Sequence, residues 1–426
     1  MAACDGGGCV SDACREAVRL MNCGDFAASL SLATAHASQR GDGDAAAVVG
    51  LHHYYGYGTK MSDAKRDEWL RRGAEMGSGM AKAFEAYHAA EGPTGALLRP
   101  YADSGLSVAQ SALGRCFEHG WGVTQDNAEA LRLFLKAADQ GLPAAIYNAG
   151  VFFDEGLGTE KDLAKAADCY RRAAAHGHVQ AQYNYSLCLE EGEGTPKDPV
   201  EALRYLTLAA EQMYPSALLN LAAAHERGTF GAAVDHSASM RYYLLAVDTG
   251  EPDALYYLGI KHLEGRGIPK DKAEAVRCFL EASRKGHDDS KHLLYRLVAR
   301  AVQRDSSAAV ERYVGLWGVP VTLTEFEGMT LLHCASHFRN GGKAAQTLIE
   351  LGADVNAQTD IERDTPLHIA SRVGNAKVIM ALLEGGADRD LKNQEGQTSE
   401  DVAVSEDIKE MIRNYIELPI IKGTEV

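Results

Sequence analysis

The chain has 426 residues, 46% of them hydrophobic and 24% charged, and its 59 acids against 43 bases leave a net charge of −16. That balance argues against a nucleic-acid or anionic-membrane surface, which needs a basic stripe, and no apolar run reaches the roughly 18 residues of a membrane span. The opening stretch "MAACDGGGCVSDACREAV" has no basic start and no apolar core, so it does not read as a secretory signal and the expectation is a cytoplasmic protein.

Residues 11–38 read as a helical pair around Gly24, an N-terminal cap. Of the nine cysteines, Cys4, Cys9, Cys14 and Cys23 cluster at the start, with spacings unlike the paired cysteines of zinc sites. The others are scattered singly through helical segments, so all nine thiols are expected to be free.

Further along, "DEGLGTEKD" at 154–162 has the parts of a phosphate cradle or a cation loop: two acids, a Gly-x-Gly turn and a lysine. The pattern recurs, however. Gly156 has counterparts at Gly56, Gly92, Gly120, Gly192, Gly228 and Gly265, in steps of 36, 28, 36, 36, 36 and 37 residues. A site is rarely copied along one chain, and no Gly-Lys-Ser/Thr follows any copy. The stretch is a corner. Glycine accepts the positive φ at which a helix ends, and the following "TEKDLAKAADCYRRAAAHG" supplies a polar start and apolar positions at helical spacing. Alanines at 109, 145, 181, 217 and 254, and the pairs 137–138, 173–174 and 209–210, allow close helix approach. One unit cannot bury both faces, but stacked units can, so the fold class is an all-α superhelical solenoid.

"AQSALGRCFEHGWGVTQDNAEALRLFLKAADQG" and "AQYNYSLCLEEGEGTPKDPVEALRYLTLAAEQ" resemble Sel-one-like repeats, relatives of the tetratricopeptide repeat. The resemblance covers about residues 44–287 in six units, the second of which (81–106) lacks about eight residues. "EGMTLLHCASHFRNGGKAAQTLIELGADVNAQ" and "ERDTPLHIASRVGNAKVIMALLEGGADRDLKN" resemble ankyrin repeats, with "EGQTSEDVAVSEDIKEMIRNY" as a terminal copy. The resemblance implies that His333 and His368 tie adjacent loops together and are structural. A fainter copy at 308–322 precedes them. The expected organisation is a cap (1–43), Sel-one-like repeats (44–287), a junction helix with a degenerate ankyrin repeat (288–324), ankyrin repeats (325–416) and a tail (417–426). The helix near 288–303 is expected to belong to both arrays.

No hydrolase, metalloprotease, nucleotide or kinase signature is present. His52, His53, His176 and His178 lack further ligands at metal spacing, and acids such as Asp154 and Glu155 read as a solvated face. The expectation is therefore a non-enzymatic scaffold or adaptor without a cofactor, whose partners are proteins or extended peptides. The alternatives are a regulatory subunit or substrate receptor, as of a ubiquitin ligase or chitin synthase, or a bacterial effector injected into host cells.

In tetratricopeptide-like stacks the first helix of each unit lines the concave face. The matching segments here place Tyr147, Tyr183, Leu219 and Tyr256 in one row and Asn148, Asn184, Asn220 and Tyr257 in the next. The asparagines form a ladder whose amides can pair with a peptide backbone or with the adjacent helix. The ending "KGTEV", with Thr424 and Val426, fits the pattern by which a PDZ domain captures a C-terminus.

Overall fold

Glycine stops the first helix of successive units. In the computed structural model, which describes residues 10–89, 94–338 and 341–415, Gly120, Gly156, Gly192, Gly228 and Gly265 are left-handed C-caps with φ between 72° and 77°. The second glycine of the corner answers to a different constraint. A Cβ on Gly194 would run into the backbone carbonyl of Leu163, at the start of an earlier helix. Asp126, Asp162, Asp198 and Asp271 then cap the second helices, each carboxylate accepting the N–H three residues on at 3.0–3.1 Å. Such a cap contributes about 1 kcal/mol.

The chain divides into two compact units, Met1–Tyr242 and Tyr243–Val426. The first opens with α1 (Asp12–Asn22) and α2 (Phe26–Arg40), joined through Gly24 at φ 82°. Pairs follow: α3 (Gly43–Tyr55) with α4 (Asp63–Glu75), α5 (Gly79–Ala89) with α6 (Thr94–Asp103), and α7 (Ser107–His119) with α8 (Asn127–Asp139). Next come α9 (Pro143–Glu155) with α10 (Leu163–Ala175), α11 (Val179–Glu191) with α12 (Pro199–Glu211), and α13 (Pro215–Arg227) with α14 (His236–Asp248). The boundary between the units falls inside α14. With α15 (Pro252–Glu264) and α16 (Lys272–Arg284), the described residues of 43–284 form seven successive pairs, not six. The shortened stretch 81–106 still supplies two helices of its own. Its corner glycine, Gly92, lies outside the described residues.

Small residues set the spacing inside a pair. The expected alanines are buried, and mid-helix glycines go further. A Cβ on Gly114 would stand 2.8 Å from the Phe134 ring, and one on Gly150 would stand 2.9 Å from the Tyr170 ring. In these pairs the aromatic ring of the second helix thus lies on bare backbone of the first, which sequence periodicity alone does not indicate.

The N-terminal hairpin reaches well beyond its neighbours. Ser107 Oγ, at the start of α7, donates to Asn22 Oδ1 over 3.0 Å. A Cβ on Gly141 would come within 2.7 Å of the Asn22 carbonyl, and one on Gly24 within 3.0 Å of the His176 ring.

In the second unit, α17 (Asp288–Gln303) buries Leu294, Tyr295, Val298, Ala301 and Val302. These share one core with Val276 and Phe279 of α16 and with Leu331 and Leu332 of α19 (Leu331–His337). Between them, α18 (Ser307–Val310) continues as a π-helical turn over Glu311–Leu316. The ankyrin part proceeds through α20 (Gly342–Glu350), α21 (Pro366–Val373), α22 (Ala376–Glu384) and α23 (Glu406–Arg413). Thr330 with His333, and Thr365 with His368, form reciprocal N-terminal caps. The outer ring nitrogens of these histidines reach the carbonyls of Asp364 and Gln397 at 3.0 Å, joining one loop to the next. The terminal copy departs from its neighbours. Residues 399–402 form turns in place of a first helix, with the Asp401 carboxylate accepting both the N–H and the hydroxyl of Thr398.

The seven described cysteines are free; Cys4 and Cys9 lie outside the described residues. Burial pushes the Cys116 thiol up to about 12 and those of Cys169, Cys188, Cys278 and Cys334 up to about 11. Thiolate is the reactive form. Iodoacetamide at neutral pH is therefore expected to modify exposed Cys23 well before the other described cysteines, and denatured, unreduced protein should titrate nine thiols. Peptide mapping showing Cys116 alkylated as fast as Cys23 would contradict the burial.

Candidate protein-binding surface

The tyrosine row is half-buried, and each described ring in it has a partner one repeat on. Tyr147 stacks on His178 with centroids 4.7 Å apart, and Tyr183 tilts onto Tyr214 at 5.4 Å. Leu219 stands half-buried at the same position of the next repeat. In the second unit Tyr256 stacks on His287 at 4.7 Å, while Tyr257 is exposed.

The asparagines divide into two kinds. Asn220 donates its amide to the Tyr183 hydroxyl over 3.0 Å. The Asn184 amide lies near the Tyr147 and Tyr170 hydroxyls and favours their ionised forms, although burial outweighs this and raises both above the usual phenol range. These two amides are committed to neighbouring repeats. Asn148 instead lines a recess.

That recess, about 150 Å3 in volume, is formed by the first helices of successive pairs. Tyr54 and Tyr55 come from α3, Tyr87 from α5, Ser111 and Arg115 from α7, and Tyr147 and Asn148 from α9. The rows expected from the sequence include the last two; the others stand outside those rows. Arg115 gave a readable signal: five residues before its corner glycine it stands where the following units have Val151, Leu187, Ala223 and Ile260. Its Nη2 lies 3.4 Å from His119 Nε2, and its buried Nε meets no acceptor among the described residues. His88 stands edge-on to Tyr54 and Tyr87, at 4.4 and 4.9 Å. Burial and Arg66 push it down to about 3, so it adds no positive charge at neutral pH. The recess therefore combines aromatic walls, one guanidinium with spare donor capacity and the Asn148 amide. Such residues hold an extended segment by an acidic or carbonyl oxygen.

The histidines considered as ligands have structural partners. His52 bridges Ser29 Oγ and the Tyr57 carbonyl, both at 2.7 Å, and burial lowers its pKa. His178 Nδ1 accepts the Ala181 N–H and so caps α11. Asp154 is more than a solvated acid, since it accepts the Tyr170 hydroxyl at 3.3 Å and faces Lys161 at 3.8 Å. Among the described residues no three metal-ligating side chains cluster, and no helix is long and apolar enough to cross a membrane. Thr424 and Val426 lie outside the described residues.

The Sel1 repeat family matches residues 107–142, 143–178, 179–212, 215–250 and 252–287, and the family of ankyrin repeats (3 copies) matches 298–393 and 332–417. The chain thus carries five Sel1 repeats followed by ankyrin repeats, and both are protein-interaction modules. Among characterised relatives it is 38% identical over 122 residues to ankyrin repeat and SOCS box protein 11 of Danio rerio, covering 29% of this chain and 40% of that protein. It is 35% identical over 94 residues to a putative palmitoyltransferase, ZDHHC13, also of Danio rerio, covering 22% of this chain and 15% of that one. The matched segments therefore span well under two thirds of either relative. A solved Sel1 repeat protein from Oxalobacter formigenes is 27% identical, with 51% of this chain and 89% of that one covered and a TM-score of 0.46.

Proposed function

We propose that the chain is a non-enzymatic cytoplasmic adaptor that holds an extended segment of a partner protein in the recess of its first unit. The observation that carries this reading is the convergence of Tyr54, Tyr87, Arg115, Tyr147 and Asn148 from four successive first helices. Tyrosine and arginine dominate the energetics of protein interfaces because each offers large contact area with a polar end. Asn184 and Asn220 support the tyrosines of this surface and belong to its scaffold. The ankyrin repeats supply a separate interaction module, which is what an adaptor needs.

The test uses peptides selected on the intact chain from a random display library. Arg115→Ala and Tyr147→Ala are expected to weaken the selected peptides by about thirtyfold, or roughly 2 kcal/mol, as hot-spot truncations do. Asn148→Ala should weaken them less, with circular dichroism unchanged in all three variants. Asn184→Ala and Asn220→Ala should cost about 1 kcal/mol of stability each, with smaller effects on binding. Peptides that bind Arg115→Ala and the parent chain equally would remove the recess as the site.

A further inference from the structure

A second recess, about 450 Å3, lies in the second unit beside α16, α17 and the π-helical turn. Its lining includes Lys270, Lys272, Arg300, Arg304 and Arg312 and no carboxylate. In a chain of net charge −16 that is a local inversion. Arg300 and Arg304 stand one turn apart at the end of α17, and the lysines flank the cap of α16. None of the five makes an ion pair with a described residue, and the carboxylates of the adjacent Asp271 and Asp305 point at backbone N–H groups. Asp271 accepts the N–H groups of Ala273 and Glu274, and Asp305 accepts that of Ala344. Behind the charges, Leu297 and Trp317 give the recess an apolar wall.

We propose that this recess binds a phosphorylated segment of a partner protein, with the cations on the phosphate and the apolar wall under a flanking side chain. Five like charges with no ion-pair partner among the described residues repel one another, and an anion relieves that repulsion. A phosphate, with nearly two charges and three acceptor oxygens, relieves it further than a carboxylate. Three of the five are arginines, whose forked donors match phosphate geometry. The recess has the volume of a compact ligand. The acidic remainder of the chain opposes long polyanions and anionic bilayers, which meet the whole surface. A short phosphorylated segment meets only the recess.

The full-length chain is passed over two immobilised peptide pools, each with randomised positions around a fixed phosphoserine or a fixed serine. Retention on the phosphoserine pool is expected to exceed that on the serine pool by about tenfold. The double substitution Arg300→Glu, Arg304→Glu should abolish the difference. Both positions are exposed, and an unchanged thermal melt verifies that the variant is folded. Trp317→Phe should remove the change in tryptophan fluorescence that the phosphopeptides cause. Equal retention on the two pools would overturn the proposal, as would a folded double variant that still prefers phosphoserine. Retention on heparin equal to that on the phosphoserine pool would also overturn it, because the patch would then be a general polyanion surface.

Discussion

Expressed alone, residues 304–426 are expected to melt far below the intact chain or not to fold. The fragment carries the ankyrin helices but lacks α17, so Leu331, Leu332 and Val310 lose the side chains that cover them in the shared core. It also loses the Tyr295 hydroxyl, which donates to the Thr330 carbonyl over 3.4 Å. Burying a large apolar side chain contributes roughly 1.5–3 kcal/mol. The four large ones of α17, Leu294, Tyr295, Val298 and Val302, then amount to an upper estimate on the order of 10 kcal/mol, as large as the whole stability of many domains. A fragment from residue 251, which keeps α15, α16 and α17, serves as the control and should melt cooperatively. Thermal denaturation followed by circular dichroism distinguishes them. If the fragment from 304 melts with the control, α17 is dispensable and the two repeat types do not share a core.

The second large effect is a loss of stability in mild acid, to which His178 contributes through its helix cap. Burial pushes this imidazole down to about 4, and its Nδ1 must stay unprotonated to accept the Ala181 N–H. The unfolded chain takes up the proton near the ordinary value of about 6.5, while the folded chain refuses it until about 4. The contribution is therefore complete above the unfolded pKa and is lost as pH falls through that window. The loss is about 3 kcal/mol from this residue alone. Burial also lowers His52 and His333, and burial with Arg66 holds His88 down to about 3. Each adds loss in the same direction, and His88 adds at least as much as His178. Urea denaturation at pH 7 and pH 4.5 reads the difference, and His178→Gln, which keeps an acceptor but no titrating ring, should remove His178's own part of it, leaving that of His88, His52 and His333. Equal midpoints at the two pH values in the parent chain would show that His178 is not held neutral by the fold.

What could be read from the sequence was local. A glycine that must take a positive φ, or an aspartate that caps three residues on, announces itself within a few positions, so the corners and the helix pairs were legible. The asparagine ladder was legible only as spacing. Whether an amide faces a partner or a tyrosine depends on a hydroxyl one repeat away, and Asn148 and Asn220 differ in just that respect. The recess was hidden for a related reason. Tyr54, Tyr55 and Tyr87 reach it from pairs preceding the five matched Sel1 repeats, one of them shortened, and no period relates them to Tyr147. Arg115 alone broke the pattern visibly. The basic recess draws on three separate segments, so its charges look scattered along the chain and gather only in space.

A row of units that touch only their neighbours can fray from a free end, one unit at a time. The hairpin of α1 and α2 removes that freedom from the first unit. Its turn at Asn22–Gly24 is fastened to the start of α7, to Gly141 and to the loop at His176. The end of the array is thus buttoned to its middle, and peeling it away requires releasing several pairs at once. That stretch is expected to open together or stay shut, and the tyrosine recess lies between those pairs.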